Sequence, residues 1–331
     1  MTSRLNIEKE LFKVANIIDK NNNFLIITHI FPDGDALGSQ VALHELLVNL
    51  GKNSFMVCND EIPYQYEFLP SAGKIKKNFN SLGNEDKFIC FCLDSADTKR
   101  VGIDFGKVRQ ASDTIVNIDH HIKNSLYGDI NIIDSPKSAT AEILYELIIK
   151  NFKPVLCRSI AVGIYTGILT DTGRFQYENT TPDVHRIVSH LLEYDISPPN
   201  IFSKIYENDP LNRFKLLELV FKRIKFLKDK KLIYSFILQK DFKRLNLPFS
   251  AQDGIIEILR SAAGVKVAAL FKQIEENHFK ISLRTSDHRV NVAKIAAKFG
   301  GGGHRMAAAY AQDGKLKNII NSLVDDLDFL R

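Results

Sequence analysis

Phe24-Leu25-Ile26-Ile27-Thr28-His29-Ile30-Phe31-Pro32-Asp33-Gly34-Asp35-Ala36 decides the architecture of the first part of the chain. An apolar run over 24–27 breaks into a Pro/Gly loop over 31–34. From 36 to 50, apolar residues recur at Leu37, Val41, Leu43, Leu46, Leu47 and Leu50, a helical spacing that Gly51 ends. Further apolar runs at 55–58, 87–93 and 114–118 are each bounded by polar or turn residues. Strands separated by helical stretches predict an α/β fold, a mainly parallel sheet flanked by helices. Helical patterns follow at 139–149 and 158–169.

The pattern breaks at 195–200, where Pro198 and Pro199 read as a hinge, and an amphipathic segment over 211–230 reads as a connecting helix. Beyond it, 232–238, 265–271 and 279–283 alternate or run apolar like strands, and Asn291 is placed to cap a helix bearing Val292, Ile295, Ala296 and Phe299. The expected organisation is a catalytic α/β domain over 1–190, a linker region over 191–225 and a smaller α+β domain over 226–331, with a cleft between the two domains. A length of 331 residues suits two domains.

Composition sets limits on class. The chain is 45% hydrophobic and 25% charged, as in ordinary globular proteins. The run at 24–27 falls far short of the roughly 20 apolar residues that a membrane span needs, and the charged, Asn-rich residues 1–23 do not read as a signal peptide. Cys58, Cys90, Cys92 and Cys157 form no disulfide framework; Cys90 and Cys92 flank Phe91 and would share one strand face. These features point to the cytoplasm. A net charge of +5 favours an anionic ligand only weakly.

Chemistry concentrates where the apolar runs end, which in an open α/β sheet is where ligands bind. His29, Asp33 and Asp35 follow the first run, Asp94 the run at 87–93, Asp119-His120-His121 the run at 114–118, and Asp171 the stretch at 160–170. Four segments at successive strand ends thus carry metal-type ligands. Two divalent cations about 3.5–4 Å apart can hold the attacking and departing oxygens of a phosphate ester, and holding them needs several carboxylates. Imidazole mixed with carboxylate favours Mn²⁺, with Mg²⁺ as the alternative. Gly34 would let the loop turn tightly enough for Asp33 and Asp35 to converge. Taken singly, each aspartate also fits a helix cap, and Asp35 stands where it would cap the helix from Ala36. Four segments in order exceed what capping explains.

In the second domain, Gly300-Gly301-Gly302-Gly303-His304 presents unhindered backbone N–H groups of the kind that cradle phosphate, without the Lys-Ser/Thr of a Walker loop. Arg284 at the end of a strand and Arg174 near Asp171 are further candidates for anion binding.

These residues resemble the DHH phosphoesterases. The segment 28–36, Asp94, Asp119-His120-His121 and Thr170-Asp171-Thr172-Gly173 look like the four motifs of that family, and 300–304 looks like the glycine motif of the DHH-associated C-terminal domain. Within the family the compact two-domain plan resembles the nanoRNase group (NrnA type). The resemblance implies that His29, Asp33 and Asp94 bind one metal. Asp35, Asp94, His120 and Asp171 would bind the other, with Asp94 bridging. Asp119 would orient, and His121 would face the reacting phosphate. Arg284, Gly302, Gly303 and His304 would hold the substrate's far phosphate or nucleotide, and Gly301 in the glycine run and Arg174 near Asp171 join them as candidates from their position in the sequence. It implies hydrolysis of short single-stranded oligoribonucleotides to 5′-mononucleotides, removal of the 3′-phosphate of 3′-phosphoadenosine 5′-phosphate (pAp), and a homodimer. The same plan serves phosphodiesterases for cyclic di-AMP and pApA. An inorganic pyrophosphatase and a non-catalytic nucleotide-binding module are the more distant alternatives. Phe31 stands where the family frequently has Asn, and Ala309 where it often has Gly.

Overall fold

Parallel strands are covered on both faces and so read as continuous apolar runs. Five segments of this kind pair in the computed structural model, which describes residues 4–79 and 87–327. They are β1 (Asn23–Ile27), β2 (Asn53–Val57), β3 (Phe88–Leu93), β4 (Ser112–Asp119) and β5 (Ile130–Ile133). All are parallel, in the order β2-β1-β3-β4-β5. Every residue of β3 is buried, and Cys90 and Cys92 share one face with Leu25, Ile27 and Ile115. The fifth strand is the one the apolar runs do not announce: four residues interrupted by Asn131 carry too little pattern. In this strand order the chain reverses direction across the sheet between β1 and β3, which opens a crevice at their carboxyl ends.

Among the described residues seven α-helices complete this first unit, Met1–Asn208: α1 (Arg4–Lys20), α2 (Gly34–Asn49), α3 (Phe105–Gln110), α4 (Thr140–Asn151), α5 (Arg158–Asp171), α6 (Pro182–Leu192) and α7 (Pro198–Tyr206). The polar-looking N-terminal stretch is a helix because Ile7, Leu11, Val14 and Ile18 fall on one face and are buried. Pro198 and Pro199 do not form the expected hinge. They occupy the first turn of α7, where the missing N–H costs nothing, and Ser197 Oγ caps that helix by accepting from Asn200 N–H.

The second unit, Asp209–Arg331, contains α8 (Leu211–Lys222), β6 (Lys225–Leu227), β7 (Leu232–Ile237), α9 (Gln239–Leu245), α10 (Ile255–Arg260), β8 (Val267–Glu275), β9 (His278–Arg284), α11 (Val292–Lys298), β10 (Gly302–Gly303), β11 (Ala307–Asp313) and α12 (Leu316–Asp326). The segment expected as one long connecting helix stops at Lys222 and continues as β6, and Leu216 and Val220 of α8 are buried in this unit's own core. The sheet order is β10-β11-β9-β8-β7-β6, antiparallel except for β7 beside β8. Residues 1–3 and 328–331, the outer ends of the two expected domains, lie outside the described residues. Among the described residues no helix is long and apolar enough to cross a membrane.

Strand alternation places Val267, Ala269 and Phe271 with α11 and α12, and Ala268 and Leu270 with α8 and α10. Lys272 continues the second set, so a lysine is buried at the end of an apolar row. Its Nζ donates to Ser282 Oγ at 2.7 Å and to Gln252 Oε1 at 3.1 Å. Burial, helped by the nearby charges of Lys280 and Arg284, lowers its pKa to about 7. A folded-state pKa below the unfolded value of about 10.4 means the unfolded chain binds the extra proton between those values, so stability rises as pH climbs from about 7 to about 10. Lys272→Met should remove that rise, leaving a flatter stability curve over this range than in the parent protein. Calorimetry of both proteins at neutral and alkaline pH checks this; parallel curves would refute it.

Candidate metal centre

Because β1, β3 and β4 are parallel neighbours, their carboxyl ends open on one edge of the sheet. His29 and Asp33 lie in the loop after β1, Asp94 follows β3, and Asp119 ends β4 with His120 and His121 next. Asp94 leaves its strand at φ +55°, a left-handed conformation that Asp tolerates better than most residues. Asp171 arrives differently. It is the last residue of α5, not a strand end as expected. It reaches the site because α5 crosses α2 backbone to backbone: a Cβ on Gly38 would stand 2.4 Å from Gly163 O, and one on Gly167 2.7 Å from Asp35 Oδ1. Gly34 belongs to the same contact. A Cβ there would meet Thr170 Cγ2 at 2.4 Å, and its φ is not left-handed, so it admits a helix and does not tighten the turn.

Among the described residues three groups of potential ligand atoms result, each within 4.8 Å: His29, Asp33 and Asp94; Asp35, His120 and Asp171; and Asp94, His120 and His121. Asp94 is common to the first and third. Its Oδ2 lies 3.3 Å from His29 Nε2, and its Oδ1 lies 3.6 Å from His120 Nε2. His120 Nε2 is also 3.1 Å from Asp171 Oδ2 and 4.0 Å from Asp35 Oδ2. Asp33, on the outer side, is half exposed, whereas Asp35 and Asp94 are buried.

The two imidazoles at the heart of these groups are arranged alike. His29 Nδ1 bonds the Ile30 carbonyl at 2.8 Å, and His120 Nδ1 approaches the Lys137 carbonyl at 3.3 Å. A backbone carbonyl accepts, so both Nδ1 atoms carry hydrogen and both Nε2 atoms turn toward carboxylates. His29 Nε2 is buried and has no hydrogen-bond partner. A buried ring nitrogen facing two carboxylates without a hydrogen bond fits a cation, and a ligating histidine ordinarily donates its other N–H in this way. The donor set of imidazole and carboxylate suits a divalent metal.

Charges in the metal-free chain follow from this crowding. Burial alone would raise the Asp94 pKa, but the neighbouring imidazoles of His29 and His120 hold it well below the carboxylate range. For Asp35 burial dominates, and the carboxylates of Asp94 and Asp171 push its pKa further upward. Asp171 is likewise raised by burial, against the pull of His120. His29 is depressed by burial yet ends at about 9, because Asp94 and Asp33 outweigh it.

Asp119 stands apart from all three groups. It is fully buried, and its Oδ1 accepts from His121 Nδ1 at 2.7 Å while its Oδ2 accepts from Asn124 Nδ2 at 2.7 Å. Despite burial, these contacts lower its pKa. The helix α2 is capped by Asp33, whose Oδ1 accepts from Asp35 and Ala36 N–H. Asp35 does not cap that helix. It caps α4 instead, accepting from Thr140 N–H at 2.6 Å and Ala141 N–H at 2.9 Å. Thr140 Oγ1 also donates to Asp94 Oδ1 at 3.0 Å, and Ser39 Oγ to Asp35 Oδ1 at 3.2 Å. Thr140, Ser39, Asn124 and the Lys137 carbonyl were not singled out from sequence. A threonine at the start of a helix reads as an ordinary helix-opening residue, and nothing local marks its partners.

Of the candidates for anion binding, Arg174 lies over the Tyr206 ring, 5.2 Å from its centroid. Arg284 donates through Nε to Glu257 Oε1 at 2.8 Å and through Nη1 to the Leu283 carbonyl. The glycine run is a hairpin more than a loop: Gly302 pairs with Ala309 and Gly303 with Ala308. A Cβ on Gly301 would lie 2.2 Å from Ala309 O, and Gly303 has φ +139°, so both positions require glycine for the hairpin itself. β11 separates β10 from β9, with Ala307 opposite Arg284, so Gly303 and Arg284 stand on strands one apart. Gly302, Gly303 and His304 are exposed.

Residues 23–168 match the DHH family N-terminal domain and residues 229–327 the DHHA1 domain. A Thermus thermophilus protein named bifunctional oligoribonuclease and PAP phosphatase NrnA is 32% identical over 295 residues, covering 87% of this chain and 84% of that one. The chain belongs to the DHH family. A Bacillus subtilis protein of the same name is 27% identical, covering 91% of this chain and 92% of that one. The structure of an exopolyphosphatase-related protein from Bacteroides fragilis has the same DHH fold, with a TM-score of 0.88 at 23% identity over 98% of each chain. Asp171 and Arg174 fall just beyond the segment matched by the N-terminal domain.

Proposed function

We propose that this DHH protein is a two-metal phosphoesterase that hydrolyses short oligoribonucleotides to 5′-mononucleotides and removes the 3′-phosphate of pAp. The observation that carries the reading is the pair of imidazoles, His29 and His120, each with Nδ1 on a carbonyl and Nε2 turned toward Asp94. The names of the Thermus and Bacillus relatives support the substrate class. His29, Asp33 and Asp94 would hold one cation and Asp35, Asp94, His120 and Asp171 the other, with Mn²⁺ the best match to this donor set. Bound metals would lower the pKa of the attacking water and neutralise negative charge developing on the phosphoryl and departing oxygens.

The remaining steps belong to the chain's own residues. Burial lowers the His121 pKa, but the hydrogen bond to Asp119 and the charges of Asp94 and Asp119 together outweigh it and raise the value overall, so the ring is poised to donate a proton or hydrogen bond to a phosphoryl oxygen. Asp119, held by Asn124, fixes the orientation of that ring. Thr140 and the first amides of α4 fix Asp35 and Asp94, so two ligands from different elements share one support. Arg284, Gly301, Gly302, Gly303 and His304 would bind a substrate phosphate, and Arg174 would serve a similar end. A cytoplasmic setting belongs to the proposal and is supported by the four free cysteines, which suit reducing conditions. Homodimerisation rests on the family resemblance alone.

The test is a side-by-side assay of the purified protein with Mn²⁺ on a ribodinucleotide, a long RNA, pAp, pApA, cyclic di-AMP and pyrophosphate. Turnover of the ribodinucleotide and pAp to 5′-mononucleotide is expected, at rates well above those for long RNA or pyrophosphate. Turnover of pyrophosphate alone, or of none, would overturn the proposal.

A further inference from the structure

We infer that Phe31 is a stacking platform for the nucleobase of the substrate, set beside the metal centre by a strained loop. The inference rests on the nucleotide-phosphoesterase reading above and adds a specificity-determining residue to it. Phe31 has φ +54°, and a bulky residue in the left-handed region is a genuine outlier. It is also 66% exposed, so packing in the core does not explain the strain.

The surroundings enforce that conformation from three sides. Phe31 N–H donates to Asp60 Oδ2 at 2.6 Å, and Ile30 N–H donates to the Arg100 carbonyl at 2.7 Å. Ile30 fills the space over Gly102, where a Cβ would lie 2.0 Å from Ile30 Cγ2. Strain persists at a functional site when its neighbours over-determine it in this way. The loop therefore holds the ring in its exposed position.

Position limits what the ring can meet. Phe31 is two residues from both His29 and Asp33, which limits either Cα separation to roughly 7 Å. A substrate whose phosphorus lies among those ligands carries its base one sugar away. An aromatic face offers such a base a stacking surface without regard to its identity, as suits an enzyme that takes short chains of any sequence. Asn at this position would suit the backbone, since its side chain tolerates the left-handed region, and would give up the aromatic face.

The experiment compares Phe31→Asn and Phe31→Trp with the parent protein on pAp and on the base-free ribose bisphosphate. For Phe31→Asn the KM for pAp should rise about tenfold, while the base-free substrate loses about twofold or less. Relief of strain should raise the Tm of the same variant by about 1–3 °C. Phe31→Trp should keep the parent KM for pAp or lower it. Equal losses on the two substrates, an unchanged KM for pAp, or a fall in Tm that marks the ring as a packing residue would each overturn the inference. If the parent protein turns over neither compound, the nucleotide reading itself fails, a result distinct from the others.

Discussion

Asp94→Asn should leave a folded protein whose phosphoesterase turnover has dropped roughly a thousandfold or more. The substitution keeps size and shape. Its amide oxygen can still accept the hydrogen bond from Thr140 Oγ1, so the loop after β3 keeps its anchor. What disappears is the one negative charge shared by two of the three ligand groups. Without it, His29 Nε2 and His120 Nε2 lose their common counter-charge, and two cations held on either side would face each other unshielded. Near-parental rates with an unchanged melting temperature would refute the bridging assignment. Unfolding is a separate outcome, and circular dichroism on the same sample distinguishes it.

Removing divalent metal should be as severe and, unlike the substitution, reversible. Chelation is expected to abolish turnover, and Mn²⁺ should restore it. The pH dependence gives a second measure. In the metal-free chain His29 is pushed down by burial but held at about 9 overall by Asp94 and Asp33. A folded pKa above the unfolded value of 6.5 gives stabilisation that is complete below about pH 6.5 and lost as pH rises through about 9. The metal-free protein should therefore lose stability across that window. Manganese must displace the same proton, so its apparent affinity should rise over the same range. Thermal melts with and without Mn²⁺ at three pH values check both signs. A metal-free protein that grows more stable toward pH 9 would contradict the His29–Asp94 pairing.

Legibility from sequence differed between elements for identifiable reasons. β1, β3 and β4 are written in their own residues, since a strand covered on both faces is an apolar run wherever it occurs. Helix α1 is masked because Lys, Glu and Asn are interspersed among its apolar residues, and only the spacing of Ile7, Leu11, Val14 and Ile18 betrays the buried face. β5 is too short to carry a pattern. Pro198 and Pro199 misled because a proline pair breaks a helix from within and opens one from its first turn equally well.

The residue types for the candidate centre were legible in the sequence alone. His29, Asp33, Asp35, Asp94, His120 and Asp171 stand in short motifs next to apolar runs, and those signals are local. Tertiary structure decided how they meet. Asp171 reaches Asp35 and His120 only because glycines let α2 and α5 touch backbones. Asp35 is held by amides 105 and 106 residues away. The glycine run became a hairpin through its pairing with β11, and Phe31 took a left-handed conformation because Asp60, Arg100 and Gly102 surround its loop. Hydrophobic period and turn chemistry act over a few residues and can be read in order along the chain. Contacts between helix backbones, and between a carboxylate and a distant helix start, depend on packing that no local pattern records.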